Sequence, residues 1–513
     1  MFSMLTGSAL NKSILFLTIL LSNVFATLAQ VNQTDQFSLE LRDDEEKYRI
    51  AGLGEKGAML YRQVSSGNED RIELIKIDTT LKTIWKNYFI VAKSLNLLRV
   101  QQHKEFVYFL FKDRLTIGGD FKIAVIEANN GEFGSYTVKN VIPFLPVDFI
   151  VTDDAALIGG YFNYRPLVVY FGFKEQNAKI LPGFFNEPGE LDQLKSYKDG
   201  SLDVIVNARN IEKKRCLWIR NYSPQGDLIK TTIIQPEKGK NLIFGHSVKL
   251  ESGEQIVAGV YGRYSYDDIS RGIFVAGINP EGEYAVDYYN FAHLKNFFSY
   301  MKAKKLKRVK ERIERKTIRG KKIKFNYRFI IHDIIPYKNQ YIMTGEAFYP
   351  HYVYPNQYLR GASTRVYYNS YYSSPYRSDM ILDGYQYTHA VVIGFDKTGK
   401  IIWDNSFEIN DVKTMELQKF VKVRPEKDRI LMMYLFSNTL RTKIIHDSEV
   451  LEGKSQDAMK IDFNDALINQ KSTESEHLDY WYGDYFYAFG VQRIQMKYGA
   501  TKRILFINKI SYK

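Results

Sequence analysis

The chain has 513 residues, of which 45% are hydrophobic and 25% are charged, and its formal net charge is +13. A chain of this length and composition can bury a large core, so we expect a soluble globular protein. The mean hydropathy of -0.31 argues against an integral membrane protein.

The first 29 residues have the pattern of a secretory signal peptide. Lys12 precedes the apolar run SILFLTILLSNVF, which is too short to span a bilayer comfortably, and the residues TLA before Gln30 resemble a small-residue cleavage site. We therefore predict a signal peptide at residues 1–29 and a mature domain at residues 30–513. A buried core helix and a retained anchor are the alternatives.

The number of cysteines limits the choice of cellular compartment. Cys216 is the single cysteine, so no intramolecular disulfide can form, although the chain is predicted to be exported. An exported protein of this size without disulfides fits a bacterial periplasm or outer-membrane surface better than a eukaryotic extracellular space.

A unit of about fifty residues recurs along the chain. Each copy holds a strand-like run, a variable loop, a second run and a tight turn, and most copies are preceded by a further strand with a short polar turn. The turn position recurs at Leu81, Gly131, Ala178, Gly226, Gly282 and Gly399. The eight copies begin their first run at Ala58, Phe106, Ala155, Leu202, Gln255, Tyr341, Ile430 and Tyr485.

Four strands per repeat are typical of a β-propeller blade. The sequence therefore predicts an all-β fold, a β-propeller of about eight four-stranded blades, with seven blades as the alternative. The last copy ends in RILFINKISYK, which supplies a third strand and no fourth, whereas the strand FSLELR at residues 37–42 is left over before the first blade. We expect these terminal strands to pair, because closure removes free sheet edges.

One turn motif occurs in two near copies, IDTTLKTIW and FDKTGKIIW. Asp78 and Trp85 in the first copy match Asp396 and Trp403 in the second, where Gly399 supplies the turn glycine. The motif resembles the Asp-x-x-x-Gly-Lys-x-x-Trp turn of the quinoprotein-like propeller repeats, which are also called PQQ repeats. The resemblance implies that the Trp docks neighbouring blades and that these five residues are structural.

The same superfamily includes eight-bladed dehydrogenases that use pyrroloquinoline quinone, and non-enzymatic propellers that serve outer-membrane protein assembly. The dehydrogenases have a vicinal cysteine pair, which a chain with one cysteine cannot form. The resemblance therefore favours the non-enzymatic branch, with no bound cofactor.

Other catalytic signatures are missing from the sequence. It contains no HExxH, CxxC, P-loop or GxSxG pattern, and its eight histidines are scattered. The pairs His332-Asp333 and His246-Ser247 fall in predicted innermost strands, but adjacent strand residues point to opposite faces and cannot act as a pair on one substrate. We predict no catalytic residues and no metal site.

A first insertion, at residues 291–327, replaces the strand pattern by a helical one. Its apolar residues fall three or four apart, and Gly320 can end the helix. Residues 302–324 contain 13 Lys or Arg and two Glu, so this piece carries 13 - 2 = +11 of the formal +13. The apolar positions that predict the helix are Leu294, Phe298, Met301, Leu306, Val309 and Ile313.

So concentrated a charge predicts a polyanionic partner, either an acidic surface of an envelope protein or an anionic lipid or lipopolysaccharide, with a glycan as a further candidate. Export makes nucleic acid the least favoured partner. The alternative is a solvated helix whose apolar stripe packs on the propeller. The candidate binding residues are Lys304, Lys305, Lys307, Arg308, Lys310, Arg312, Arg315, Lys316, Lys321 and Lys322.

A second insertion, at residues 349–388, is dense in tyrosine. Long loops that combine Tyr with Ser, Asn and Gly resemble adaptable recognition surfaces, because Tyr offers a large rigid contact area and a hydroxyl. A lid over the propeller is the alternative. The candidate partner-binding residues are Tyr352, Tyr354, Tyr358, Tyr367, Tyr368, Tyr371 and Tyr372.

In an antiparallel blade, the loop between the second and third strands and the link to the next blade emerge on the same face. The two insertions should therefore lie side by side and form one composite binding surface of a non-enzymatic scaffold protein in the cell envelope. A glycan-binding module or a polysaccharide-active enzyme is the second hypothesis, with Asp379 and Asp383 as the nearby carboxylates. A quinone-dependent oxidoreductase is the third, and the missing cysteines disfavour it.

Overall fold

A computed structural model describes residues 31–114, 116, 118–140, 142–184, 188–353, 381–459, 466–496 and 501–512. The chain divides into two compact units, Leu41–Met459 and a unit made of Met1–Glu40 with Lys460–Lys513. The described strands form eight sheets, each with a four-stranded antiparallel core. The prediction of an all-β fold with eight β-propeller blades is confirmed. The signal-peptide residues lie outside the described ranges.

Strand β1 (Val31–Leu41) starts the described chain and belongs to the last blade. Blades one to four follow in chain order. Blade one contains β2 (Arg49–Gly52), β3 (Ala58–Ser66), β4 (Glu69–Ile77) and β5 (Thr83–Ala92). Blade two contains β6 (Leu95–His103), β7 (Phe106–Asp113), β8 (Phe121–Glu127) and β9 (Phe133–Val138), and blade three contains β10 (Leu145–Val151), β11 (Ala155–Phe162), β12 (Arg165–Gly172) and β13 (Asn177–Ile180). Blade four contains β14 (Gly189–Ser196), β15 (Leu202–Arg209), β16 (Arg215–Tyr222) and β17 (Leu228–Ile234).

Blades five to seven complete the larger unit, and in blade six two short extra strands, β23 and β27, pair with β24 and β25 respectively. Blade five contains β18 (Asn241–Lys249), β19 (Gln255–Gly262), β20 (Ser270–Ile278) and β21 (Tyr284–Asn290), followed by helix α1 (Ala303–Ile318); blade six β22 (Arg328–Ile331), β23 (Ile335–Tyr337), β24 (Gln340–Val353), β25 (Ile381–Asp396), β26 (Ile401–Glu408) and β27 (Lys413–Thr414); blade seven β28 (Lys422–Pro425), β29 (Ile430–Phe436), β30 (Thr439–His446) and β31 (Glu449–Ala458).

The smaller unit forms blade eight from both ends of the chain. Its sheet order is β32 (Ala466–Tyr482), β33 (Tyr485–Met496), β34 (Thr501–Tyr512) and then β1. Lys502 Nζ lies 2.7 Å from a carboxylate oxygen of Glu40, which links β34 to β1. The predicted pairing of the terminal strands is confirmed, although β1 begins six residues before the predicted start at residue 37.

Burial explains which strands the sequence shows clearly. The second strand of a blade is covered on both faces by neighbouring sheets, so β11 and β19 are apolar runs in which six and all eight residues, respectively, are buried. The outermost strand has less cover: β5 has three residues that are buried or half-buried and seven that are exposed. Outer strands therefore carry a weaker apolar signal.

The second turn motif is held by one carboxylate. Oδ1 of Asp396 accepts hydrogen bonds from the backbone N–H of Thr398 at 2.8 Å, from that of Lys400 at 3.0 Å, and from the Thr398 hydroxyl. Gly399 takes the left-handed φ of 86° that the turn requires. Asp78 makes the corresponding bonds in the first copy.

Both motif tryptophans pack against hydrophobic cores of the larger unit, Trp403 fully buried and Trp85 half-buried. Trp403 is buried in a core shared with strands of blade seven, and its indole N–H donates to Gln340 at 2.7 Å. A Cβ at Gly394 would lie 2.2 Å from this indole, which explains the glycine. The ring of Trp85 lies against Gly131, the turn glycine of the neighbouring blade two.

The helix is shorter than predicted. Only Ala303–Ile318 is α-helical, and the first part of the insertion is a 3-10 turn, Phe291–His293, followed by irregular chain. The helical interpretation of Leu294, Phe298 and Met301 is wrong, because their spacing serves packing between two sheets. The stop at Gly320 is correct in kind: Lys321 N–H donates to the Lys316 carbonyl in a Schellman-type end.

We predict that Asp396→Ala destabilises the protein by about 1–3 kcal/mol, because three donors lose their shared acceptor. Asp396→Asn keeps a side-chain oxygen and should lose less than half as much. Chemical denaturation measures both variants. The assignment would be wrong if the Ala and Asn variants were equally stable.

Candidate functional site

The basic insertion is anchored between blades five and six. Phe291, Leu294, Phe297 and Phe298 are buried in one hydrophobic core with residues of β20 in blade five and of β25 in blade six. The rings of Phe291 and Phe297 stack with centroids 4.6 Å apart. Residues 291–302 therefore fill an inter-blade space, and we call them the anchor segment.

A buried carboxylate fixes the backbone of the anchor segment. The Asp404 side chain accepts hydrogen bonds from the backbone N–H groups of Lys295 at 2.9 Å and Asn296 at 2.7 Å. In return, the Asn296 carbonyl accepts a hydrogen bond from the Ser406 hydroxyl at 2.9 Å. Burial raises the pKa of Asp404, and the N–H donors oppose this shift because they favour the carboxylate.

A buried histidine completes the anchor. The imidazole of His389 stacks on the ring of Tyr300, with centroids 3.7 Å apart and planes 5° apart. The rings of Phe297 and Tyr327 meet it edge-on at 5.3 and 5.4 Å. Burial lowers the pKa of His389 to about 3, so the ring is neutral near neutral pH.

This histidine predicts an acid-sensitive anchor. The folded-state pKa of about 3 lies below the unfolded value of about 6.5, so the unfolded chain binds more protons between these pH values. The free energy of unfolding should fall as pH drops below about 6.5, by up to about 1.4 kcal/mol per pH unit from this one group.

We expect the free energy of unfolding of His389→Phe to fall less steeply on acidification than that of the parent protein. The difference between the two slopes should correspond to the binding of about one proton on unfolding. Denaturant unfolding measured between neutral and mildly acidic pH tests this. Comparing the two proteins cancels the contributions of other titrating groups. Parallel curves would show that His389 is not the group responsible.

Helix α1 packs on the propeller through one narrow apolar stripe. Leu306, Val309 and Ile313 are half-buried against the core that holds the anchor segment, while most other side chains of the helix are exposed. The stripe packs on the propeller, which is the contact that the alternative of a solvated helix expected. The helix is therefore docked, with its polar face toward solvent.

The predicted basic residues lie on this exposed face or just beyond the helix. Lys316 is half-buried, and the other nine candidates are exposed. Within the described residues, none of the ten forms an ion pair. We call this set the basic surface: Lys304, Lys305, Lys307, Arg308, Lys310, Arg312, Arg315, Lys316, Lys321 and Lys322.

Helix stability accounts for Arg315 and Lys316, which lie in the last turn where the helix dipole favours cations, but not for the charges at the start of α1. The first turn of α1 has no acidic residue, and its N-cap, Lys302, makes no side-chain capping bond. Lys304 and Lys305 stand near the positive end of the helix dipole, where a cation is unfavourable by about 0.3–1 kcal/mol. A violation of a local rule without compensating contacts favours a role in binding.

The tyrosine-rich insertion is described only at its base. Tyr352 lies on the last part of β24 with 44% of its surface exposed, and the hairpin register runs out to Val353 opposite Ile381. Asp383 contacts Lys413 at 2.7 Å and His351 at 3.0 Å, and its hydrogen bond to the Lys413 ammonium lowers the pKa of the carboxyl. Outside the described residues lie Tyr354, Tyr358, Tyr367, Tyr368, Tyr371, Tyr372 and Asp379.

Strand register shows where the two insertions leave the blades. Tyr327, at the end of the basic insertion, bridges to Ser270 of blade five, and the next residue, Arg328, pairs with Phe348 on β24. From Phe348, β24 continues toward the tyrosine-rich loop. The basic insertion therefore joins blade six at the same end of its sheet from which the tyrosine-rich loop leaves. In the described part of the hairpin, no hydrogen bond or ion pair reaches α1.

Both histidines named in the sequence analysis contact a carboxylate: His246 of β18 reaches blade six, whereas His332 contacts a residue of its own blade and lies just after β22, outside the predicted strand. His246 Nδ1 lies 2.8 Å from Asp333 Oδ1, and His332 Nε2 lies 2.7 Å from Glu346. The contact with His246 lowers the pKa of Asp333, while burial lowers the pKa of His246. Sequence reasoning missed the contact of His246 with Asp333 because the two residues lie in different blades, and it missed the contact of His332 with Glu346 because it depends on the pairing of β22 with β24.

This polar cluster does not form a catalytic triad. Ser247 points away from His246, toward Gln193, whose side-chain oxygen accepts from the Ser247 hydroxyl at 3.1 Å. No group of three His, Cys, Asp or Glu in the described part of the chain is arranged to hold a metal ion. The described chain also has no helix that is long and apolar enough to cross a bilayer.

Comparison with family models and with curated protein sequences gives no match. Among solved structures, the polysaccharide lyase Uly1 aligns with 80% of this chain and 89% of its own, with 10% identity and a TM-score of 0.38. The β-propeller domain of the Trilobed protease from Pyrococcus furiosus aligns with 80% and 96%, with 9% identity and a TM-score of 0.37. A protein from Lactobacillus plantarum aligns with 78% and 96%, with 10% identity and a TM-score of 0.38. Likenesses this weak carry no functional argument.

Fold and site together define a class. The protein is a β-propeller of eight four-stranded blades, with a docked basic helix inserted between blades five and six.

Proposed function

We propose that the protein is an exported, non-enzymatic interaction protein of the bacterial cell envelope. Its basic surface binds the acidic face of a partner protein, and the tyrosine-rich insertion adds contact area beside it. The supporting observation is the docked helix α1, whose basic face is exposed and makes no ion pair within the described residues.

The docking of α1 favours a protein partner over a lipid bilayer. A helix that inserts at a membrane surface buries its apolar face among the acyl chains. In α1, Leu306, Val309 and Ile313 already pack against the inter-blade core. What remains is a cluster of cations on a docked helix, and such a cluster suits a partner protein with a complementary acidic face.

Charge distribution supports a steering role for the same surface. Residues 302–324 contribute +11 of the formal +13, so the rest of the chain has a charge of about +2. An acidic partner is therefore attracted to one place on the protein, and the attraction raises the association rate at low ionic strength.

The tyrosines supply what a surface of lysine and arginine lacks. Cationic side chains are long and strongly hydrated, so they give modest binding energy at an exposed interface. Tyrosine rings bury a large area at low entropic cost. We assign the base of this contact to Tyr352, because it is exposed on the hairpin that starts beside the basic insertion.

Export makes a direct prediction about the mature N-terminus. Protein recovered from the cell envelope should begin at Gln30, because the residues before it resemble a small-residue cleavage site. N-terminal sequencing checks this. Recovery of the chain with Met1 intact would contradict export by a cleaved signal peptide.

The binding proposal predicts a charge-dependent cross-link. A photo-activated amino acid placed at Thr317, an exposed neutral position of α1, keeps every charge of the basic surface. Irradiation of intact cells should give one discrete protein adduct. The same label at Ile229, which is exposed on blade four, should not give that adduct.

The adduct should decrease about tenfold or more when six basic residues are changed to glutamine, because the attraction to the acidic partner is lost. A matched variant with six exposed lysines changed elsewhere has the same net charge and should keep the adduct. Loss of the adduct in both variants, or survival in both, would contradict a specific basic site. Binding of purified protein to phosphatidylglycerol vesicles without any protein adduct would show that the partner is lipid. The six test positions are Lys304, Lys305, Lys307, Arg308, Lys310 and Arg312; the control positions are Lys86, Lys122, Lys174, Lys198, Lys238 and Lys397.

A further inference from the structure

A cleft of about 660 Å³ lies at the loop ends of blades three, four and five, and no residue of α1 lines it. Its walls include the start of β10, the turn between β11 and β12, the start of β14 and the loop that precedes β20. The volume is within the range of about 300–1,000 Å³ found for small-molecule sites.

The floor of the cleft is a buried arginine that holds two carboxylates. Arg215 is 7% exposed, and its guanidinium donates to Glu190 at 2.9 Å and to Asp268 at 2.8 Å. The same group also donates to the Asn207 side chain at 2.8 Å. Three bonds to three different strands or loops fix the guanidinium, so the carboxylates are pre-positioned.

Each carboxylate accepts a hydrogen bond from Arg215 through only one of its two oxygens. The side chains of Glu190 and Asp268 are 64% and 66% exposed, and within the described residues their second oxygens have no protein partner. These oxygens can accept hydrogen bonds from a ligand. Arg209 also lines the cleft, so two carboxylates face two guanidinium groups and the local charge is balanced.

The rim of the cleft is aromatic. Tyr164 is 81% exposed and Tyr266 is 69% exposed. Tyr266 stacks on Tyr264 with ring centroids 5.2 Å apart, and the Arg263 guanidinium lies 5.1 Å from the centre of the Tyr264 ring. The stack holds the Tyr266 ring in place without hiding it from solvent.

Tyr164 occupies a costly backbone position. It forms with Asn163 the two-residue turn between β11 and β12, and its φ of 62° is in the left-handed region. Such turns favour glycine, and a bulky residue there costs about 1 kcal/mol or more. Since the ring is mostly exposed, packing does not offset this cost. An unfavourable residue with an exposed side chain favours a role in binding.

We propose that this cleft binds a neutral saccharide. A pyranose ring has an apolar C–H face that packs on the rings of Tyr164 and Tyr266, while its hydroxyls donate to the open oxygens of Glu190 and Asp268. The balanced charge gives no net attraction to a phosphate or an acidic sugar, and the open carboxylate oxygens repel both. The proposal does not rest on the function of the basic surface.

The test uses the mature protein and a panel of short neutral oligosaccharides of glucose, xylose and mannose, with oligogalacturonate as the acidic comparison. Saturation-transfer NMR detects binding, and titration gives affinities. At least one neutral sugar should bind. Tyr164→Ala and Glu190→Gln should each weaken that binding about tenfold or more. Tyr88→Ala, which removes a tyrosine that is 59% exposed on blade one, should leave it unchanged.

Tyr164→Gly separates binding from folding. Glycine relieves the left-handed backbone, so this variant should unfold at a higher temperature and still lose sugar binding. The glutamine variant of the basic surface should bind sugar as the parent does. The proposal is overturned if no neutral sugar in the panel binds, if binding survives Tyr164→Ala together with Glu190→Gln, or if oligogalacturonate binds more tightly than every neutral sugar.

Discussion

Two-sided burial of the second strand in each blade of the larger unit is the constraint on which the rest depends. A strand such as β19 is covered on both faces, so its side chains are set by the packing of three sheets. Variation is then confined to turns, links and outer strands. Both insertions lie in such places, and so do the turn between β11 and β12 and the loop before β20, which form two walls of the cleft.

Most of the fold could be predicted because two-sided burial makes the second strand of each blade a recognisable apolar run in the sequence. Eight apolar runs were enough to infer eight blades, and the left-over strand at residues 37–42 was enough to infer the pairing of the two ends. Helix α1 could be predicted in kind, since Leu306, Val309 and Ile313 keep helical spacing. The anchor segment could not, because Phe297 and Phe298 meet two sheets whose arrangement no local spacing reveals.

The candidate sites divide in the same way. The basic surface is a property of composition, and a sequence shows composition directly. The cleft depends on Arg215, Glu190 and Asp268, which come from two blades and are brought together only by folding. Tyr164 left one local signal, an asparagine followed by tyrosine in a two-residue turn, but its backbone strain is visible only in the structure. Asp333 and His246 lie 87 residues apart in different blades, and no local pattern shows that they contact each other.

Blade eight couples the ends of the chain in time as well as in space. Asn508 on β34 hydrogen-bonds Gln33 on β1, a separation of 475 residues. During synthesis, β1 has no sheet partner until β34 has been made, and closure over such a distance is slow. The time taken to close blade eight is therefore set by the separation of its strands along the chain and not by the strength of their pairing.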